Sequence, residues 1–233
     1  MSESKTARMT AYAAFASVVL ILVAFVVFTR SGMPDSNDPA AKIAAYYTQH
    51  RSAALAQQFF FGLSFLTMAV FIAGVVVMMW RAPAARMLAV VAAVGGAAAG
   101  GTALVGSAMM TVLAYRPPVG DPGLMRTLLD SGYITLNASG FVFAAFIGAT
   151  AAASMRMQVF PRWVGDVGLA AAVLQVVGAA AYSRGDGAFS PQGLVPLIAI
   201  LSFLVWAVCM GTALVRTQEV VTAAPSAPAP AGD

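Results

Sequence analysis

Apolar residues gather in six long runs along the chain, and short polar segments separate these runs. A helix needs ~20 apolar residues to cross the ~30 Å hydrocarbon core of a membrane. A backbone in hydrocarbon must also satisfy its own hydrogen bonds, which favours the helix. Charged residues and histidine are absent from every run except the fifth, which contains Asp166. The pattern predicts an integral membrane protein with six spans, at about 10–29, 53–80, 87–115, 131–155, 163–183 and 193–215.

The predicted fold is all-α, with the six spans arranged as three helical hairpins. Each outbound span ends in an arginine (Arg30, Arg116 or Arg184), and an aspartate follows a few residues later. This recurrence at three hairpin turns indicates a repeated unit. Internal repeats are common in transporters, but successive hairpins share one orientation here, so inverted symmetry is not indicated.

Two of the hairpin turns are predicted to contain a short helix. In each, an aspartate at the N-cap precedes a proline at the first helical position, Asp38 with Pro39 and Asp121 with Pro122. Helical spacing then places apolar side chains on one face. Those side chains are Ile43, Tyr46 and Tyr47 in the first stretch and Leu124, Leu128 and Leu129 in the second. We expect both short helices to lie in the outer membrane interface.

Composition excludes several classes of protein. Hydrophobic residues make up 60% of the 233 residues and charged residues 9%, which leaves no room for a separate soluble domain. The net charge of +4 is spread over short segments without a basic run, so nucleic acid is not an expected partner. With one cysteine and one histidine, the chain lacks a dithiol redox pair and a pair of axial haem ligands. No catalytic residue, metal or cofactor is predicted.

The distribution of Lys and Arg predicts that both termini lie on the cytoplasmic side of the cell membrane. With the N-terminus inside, seven of these residues face the cytoplasm and six face outward. The cytoplasmic connections are shorter and denser in charge, which favours this orientation. The first run is too long for a signal peptide and lacks a cleavage motif, so we expect a retained span. The Ala- and Pro-rich segment 217–233 is predicted to be a disordered cytoplasmic tail.

The three arginines at the hairpin turns are candidate contacts for an anionic headgroup or solute. If the hairpins pack around one axis, Arg30, Arg116 and Arg184 converge at one height, with the nearby aspartates orienting them. The alternative is structural, because a cation at a helix C-terminus complements the helix dipole and anchors the span at the interface.

The third span contains a run of small residues that predicts close helix packing. Gly96, Gly100 and Gly101 follow the small-xxx-small spacing that lets two helices approach. The partner of this face is either a neighbouring helix of the same chain or a second copy, and the remaining alternative is that the glycines form a flexible point in the helix.

Polar side chains inside the spans are few, and a buried amide is costly without a partner. Asn137 and Gln175 are the most costly, so we expect them to pair with each other or to line a small polar cavity. The alternative is that each forms an interhelical hydrogen bond that stabilises the bundle. The polar residues are Gln57, Gln58, Ser64, Thr67, Thr102, Ser107, Asn137, Ser139 and Gln175.

The entry to the fifth span and the two short helices carry a likeness to other proteins. The entry reads Phe160, Pro161, Arg162, Trp163, Val164 and Gly165. With the Ala-, Val- and Gly-rich spans, this layout resembles that of small multi-pass membrane proteins of actinobacteria. The resemblance implies the six-span layout and carries no activity, cofactor or site residue.

Three functions remain as hypotheses. The leading one is a non-enzymatic membrane component that binds lipid or assembles with a protein partner or a second copy. The second is a carrier for a neutral or hydrophobic solute that uses Asn137 and Gln175. The third is an intramembrane enzyme acting on a lipid, in which the arginines and aspartates of the hairpin turns bind the headgroup.

Overall fold

The computed structural model describes residues 3–35, 37–117, 120–183 and 186–223, and these residues form helices and turns without a strand. Six of the helices are long and apolar enough to span a membrane. The predicted all-α fold with six spans is therefore confirmed at this level. The helices are α1 (Glu3–Ser31), α2 (Ala40–Gln49), α3 (Arg51–Arg81), α4 (Arg86–Tyr115), α5 (Pro122–Met157), α6 (Arg162–Ala179) and α7 (Leu194–Ala223), with 3₁₀ turns at Pro83–Ala85, Ala180–Ser183 and Gly187–Phe189.

The six long helices form a closed ring. Each packs against the next along the chain, and α7 packs against α1. The two helices of each predicted hairpin are in contact, and so are neighbouring helices from different hairpins. The ring has two ends, which we call the terminal end, where the chain begins, and the α2 end.

Aromatic side chains fill the interior of the ring toward the terminal end. Phe71, Phe146 and Trp206 are fully buried. Their rings meet edge to face, with centroid separations of 6.1 Å, 5.8 Å and 5.5 Å. Such pairs contribute about 0.5–1.5 kcal/mol each beyond the burial of their area. This cluster draws α3, α5 and α7 together.

Helices α4 and α5 approach most closely at two glycines of α4. A Cβ on Gly95 would lie 2.9 Å from the backbone nitrogen of Phe146, and one on Gly106 would lie 2.8 Å from the carbonyl oxygen of Gly132. Backbone atoms cannot move aside as a side chain can, so only glycine fits at these positions. Gly95, at the start of the glycine-rich run, thus serves helix packing inside the chain.

The Phe160–Gly165 segment also has a structural role. Phe160 is buried in the core, and Pro161 precedes the first turn of α6. A Cβ on Gly165 would lie 2.7 Å from Met155 and 3.0 Å from the carbonyl oxygen of Ala151. The segment therefore turns the chain tightly from α5 into α6.

Helix α2 is a separate short helix, and its apolar face is covered by protein. Its buried residues are the predicted ones, Ile43, Tyr46 and Tyr47. They join a cluster with residues of α3, α4 and α5, which includes Met110 and Leu129. The membrane interface is thus not needed to bury this face.

The second short helix is not a separate element, contrary to the prediction. Asp121 is the N-cap as expected, and its carboxylate accepts a hydrogen bond from Leu124 N at 2.9 Å. The helix then continues to Met157, and no proline after Pro122 interrupts it. Leu124 is exposed, and Met125 is buried in its place.

Helix α7 extends beyond the predicted end of the last span. It runs to Ala223, so residues 217–223, predicted to begin a disordered tail, are helical. Residues 224–233 lie outside the described part of the chain.

Candidate ligand cavity inside the helix ring

Two adjoining cavities lie inside the ring. The inner chamber has a volume of about 140 Å³ and is lined by residues of all six long helices. The outer chamber, closer to the α2 end, has a volume of about 260 Å³. The residues that line both are Phe25, Phe61, Leu136, Asn137, Pro196 and Ile200.

The walls of both chambers are mainly apolar and carry no formal charge. Among the described residues that line them there is no Lys, Arg, Asp, Glu or His. Moving an ion into such surroundings carries a large desolvation cost. The cavity is therefore suited to a neutral molecule.

The structure brings Asn137 and Gln175 into the same chamber. Gln175 is only 7% exposed, and Asn137 is half-buried. The Nε2 atom of Gln175 donates to the carbonyl oxygen of Ala199 at 2.6 Å. The Nδ2 atom of Asn137 donates to the carbonyl oxygen of Pro191 at 3.0 Å. Each amide thus bonds to backbone, and within the described chain the two do not bond to each other.

Gly140 makes room for the Gln175 side chain. It lies one turn after Asn137 on α5, and a Cβ there would lie 2.8 Å from the carbonyl oxygen of Gln175 and 3.4 Å from its Oε1. A larger residue at this position would push α6 away from α5. The close approach of the two helices therefore positions both amides at one chamber.

Gln57 is a site residue whose role the sequence did not reveal. It is 6% exposed and lines the outer chamber. Its neighbour Gln58 accepts a hydrogen bond from Ser107 Oγ at 2.6 Å, which joins α3 to α4. Two adjacent glutamines in an apolar run are visible in the sequence, but the side that each faces depends on the packing of α3.

Segments at the α2 end cover the outer chamber. Tyr133 OH contacts Met33 Sδ at 3.6 Å, and Gln192 Nε2 donates to the carbonyl oxygen of Pro34 at 3.5 Å. Arg126 Nη2 donates to the carbonyl oxygen of Asp38 at 2.8 Å. These contacts tie the chain between α1 and α2 to α5 and to the α6–α7 connection.

A local ion pair lies at the start of α2, where Pro39 and not the predicted Asp38 is the N-cap. Lys42 Nζ lies 2.8 Å from Asp38 Oδ2. This hydrogen bond from Lys42 lowers the pKa of the Asp38 carboxyl below its usual value. The exposed pair contributes little to stability, since solvent screens it.

Of the three arginines at the hairpin turns, the structure describes two, Arg30 and Arg116. Arg30 and Arg116 are both exposed, and Arg116 lies over the ring of Tyr115 at 5.5 Å. In the described part of the chain neither makes an ion pair with a carboxylate. Arg184 lies outside the described residues. The aspartates serve local turns, since Asp35 accepts a hydrogen bond from Asn37 N at 2.9 Å.

The three glycines predicted for packing are in different surroundings. A Cβ on Gly96 would lie 2.6 Å from Ile72 Cγ2, so Gly96 packs against α3. A Cβ on Gly100 or Gly101 would meet nothing within 4 Å. These two line an apolar groove of about 840 Å³ between α3 and α4.

In the part of the chain that the structure describes, no group of three or more His, Cys, Asp or Glu residues is placed to hold a metal ion. No family model, curated protein or solved structure matches this chain. The cavity is therefore interpreted from its own chemistry.

Proposed function

We propose that this protein is a non-enzymatic membrane component that binds a small hydrophobic molecule, such as a lipid, inside its helix ring. The observation that carries the proposal is the pair of uncharged, mainly apolar chambers inside the ring, the inner one lined by all six long helices. The aspartates at Asp35 and Asp121 support a non-enzymatic role, because both are engaged in backbone turns.

The size of the chambers fits a small ligand or one section of a larger one. A dry cavity of about 150 Å³ in another protein holds a molecule the size of benzene. The inner chamber, at about 140 Å³, falls in this range, and the outer chamber, at about 260 Å³, is nearly twice as large. Membrane lipids and hydrophobic metabolites contain apolar groups that would fit chambers of this size.

Filling the inner chamber should displace the ligand. Ala103 lies on α4, is buried and lines this chamber. Ala103→Leu places three further carbon atoms in it, whereas Ala108→Leu adds the same atoms on an exposed position of the same helix. We expect native mass spectrometry of gently extracted protein to show a bound small molecule in the wild type and in Ala108→Leu. In Ala103→Leu its occupancy should fall about tenfold or more, which corresponds to about 1.4 kcal/mol.

Equal occupancy in the two variants, or no bound molecule in any of the three proteins, would contradict the proposal. The same cavity would serve a carrier for a neutral solute, since Asn137 lines both chambers. Flux of the identified molecule across proteoliposomes separates the two roles, because a stationary binding protein gives no flux above empty vesicles.

Assembly with a second copy or another membrane protein is the second candidate function. The groove between α3 and α4 favours it, because a Cβ on Gly100 or Gly101 would meet nothing within 4 Å there. Close approach of a partner helix to such a small-residue face is common in membranes.

We also propose that the helices are arranged as three hairpins in the cell membrane, with the α2 end outside and both termini in the cytoplasm. Support comes from the basic residues of the short connections at the terminal end, such as Arg81 and Arg86. In this orientation the outer chamber lies toward the external face.

A further inference from the structure

The polar atoms of the cavity restrict the chemical class of its ligand. The orientation of both amides follows from their partners, because a backbone carbonyl oxygen can only accept a hydrogen bond. The nitrogen of Gln175 must therefore face Ala199, and the nitrogen of Asn137 must face Pro191. A flipped amide would place two oxygens together without a proton between them, so only this orientation of each amide forms the hydrogen bond.

The two amide oxygens have no partner in the protein. Among the described residues, neither Gln175 Oε1 nor Asn137 Oδ1 accepts a hydrogen bond. Among the described residues, Trp206 Nε1 is the one fully buried side-chain polar atom that has no hydrogen-bond partner. The two amide oxygens also lack a partner, so they are not fully buried. Both amide oxygens therefore reach free space, and the inner chamber is the space that both residues line.

The hydroxyl of Ser139 adds a third acceptor. Ser139 is buried and lines the inner chamber, and its Oγ donates its only proton to the carbonyl oxygen of Leu136 at 2.6 Å. Its lone pairs remain. The second N–H of each amide belongs to a nitrogen already held at a backbone carbonyl. Among the described residues, each amide thus keeps one further N–H donor, whereas the three oxygens together keep six lone pairs, so the chamber offers more acceptor than donor positions.

We propose that the ligand is a neutral hydrophobic molecule carrying a hydrogen-bond donor, such as an alcohol, whose hydroxyl binds the oxygens of Gln175 and Asn137. This inference rests on the proposed function. The apolar body of the ligand lies among the phenylalanines that line the chambers. Gln57, 6% exposed and without a hydrogen bond in the described chain, offers a second polar contact in the outer chamber.

The lining of the chambers favours an alcohol over an anion and over an ether. Among the described lining residues there is no charged side chain to bind an anion. A carboxylate or phosphate would meet three acceptor oxygens and no cation. An ether of the same length would bury its apolar chain equally well but leave the acceptors unpaired. A hydrogen bond of this kind contributes about 1 kcal/mol, or about fivefold in affinity.

The experiment compares decanol, decyl methyl ether and decanoate in binding to the full chain in nanodiscs, with each probe at the same mole fraction in the membrane. We expect decanol to bind about fivefold or more tightly than the ether, and decanoate to bind weakest. Asn137→Leu and Gln175→Leu should each reduce the preference for decanol over the ether to near unity. Either variant suffices if the other fails to fold, and Thr150→Val, a buried change away from the chambers, should keep the preference.

The possible results separate this inference from the proposed function. Equal binding of decanol and the ether, with displacement by Ala103→Leu, would overturn the donor requirement and leave the cavity as a binding site. Tighter binding of decanoate would also overturn it. Stabilisation by Na⁺ or K⁺ that is lost in Gln175→Leu would assign the oxygens to a cation instead. Binding of none of the three probes would refute both proposals.

Discussion

At the scale of single residues, neighbouring glycines of α4 have different roles although they look alike in sequence. Gly95 faces the backbone of α5, Gly96 faces Ile72 of α3, and Gly100 faces open space. The small-residue spacing identified a packing helix but not the faces it packs with. The sequence therefore selected Gly96, Gly100 and Gly101, whereas the contacts with backbone atoms of α5 are at Gly95 and Gly106.

We expect Gly95→Ala to destabilise the protein and Gly100→Ala to leave it as stable or slightly more stable. A methyl group at Gly95 would lie 2.9 Å from backbone atoms of Phe146 and Val142. Overpacking of this kind costs about 1–3 kcal/mol. At Gly100 the methyl meets nothing within 4 Å, and alanine favours a helix over glycine by about 0.5–1 kcal/mol. Thermal unfolding in one detergent measures both, and equal melting temperatures would contradict this packing of α4.

Gly100 is also the position at which assembly can be tested. Gly100→Leu places a side chain in the α3–α4 groove, and its Cβ would meet nothing within 4 Å. A loss of oligomers or of a co-purified partner, with an unchanged melting temperature, would therefore be specific to assembly. Val173→Leu, on an exposed position of α6, is the matched control. Unchanged assembly in Gly100→Leu would rule out the groove as the contact.

At the scale of an element, α2 shows how a short amphipathic helix can be stabilised by its neighbours. Tyr46 OH lies 2.7 Å from Ser31 Oγ, and Tyr47 is buried with its hydroxyl 3.9 Å from Met110 Sδ. Burial raises the pKa of Tyr46 and raises that of Tyr47 well above its usual value. The packed helix thus requires both tyrosines to be neutral.

Packing of α2 should weaken in alkaline solution. Because the folded-state pKa of Tyr47 is raised, its contribution to stability is complete below the ordinary tyrosine pKa of about 10 and is lost as the pH rises above that value. We expect the melting temperature to fall above this pH, and to fall less in Tyr47→Phe. Tyr115→Phe, which changes an exposed tyrosine, should behave as the wild type. An identical alkaline decline in all three proteins would contradict the role of Tyr47.

At the scale of the whole molecule, closure of the ring creates the cavity. A bundle in which α7 did not meet α1 would leave the chambers open to lipid on one side. Gly211 permits this contact, since a Cβ there would lie 2.9 Å from the ring of Phe15 and 3.4 Å from the carbonyl oxygen of Ala11. The interior of the ring is thus shielded by helices that come from opposite ends of the chain.

The proposed orientation predicts opposite accessibility at the two ends of α3. In a Cys209→Ser background, Thr48→Cys lies at the α2 end and Ala84→Cys in the α3–α4 turn, and both positions are exposed. We expect an impermeant maleimide to label Thr48→Cys in intact cells and Ala84→Cys only after permeabilisation. The reverse result would invert the orientation, and labelling of both from one side would contradict a membrane-spanning α3.

The sequence by itself determined the number of spans, the all-α class, the separate helix α2 and the N-cap at Asp121. These properties are local, because they depend on the length of an apolar run or on residues a few positions apart. Only the tertiary structure decided which side of each span faces the cavity. Lipid tails are as apolar as a protein core, so a span that is apolar all round carries no periodic signal for its inner face.

The candidate site shows the same division between what the sequence determined and what only the tertiary structure decided. The sequence indicated that Asn137 and Gln175 need partners, because a buried amide is costly anywhere in a membrane. It did not indicate that both line one chamber, that Gln57 joins them in the adjoining one, or that the amide oxygens are left free. These facts depend on where Pro191 and Ala199 place their carbonyl groups, and those positions follow from the closed ring and from the close approach of α5 and α6 at Gly140.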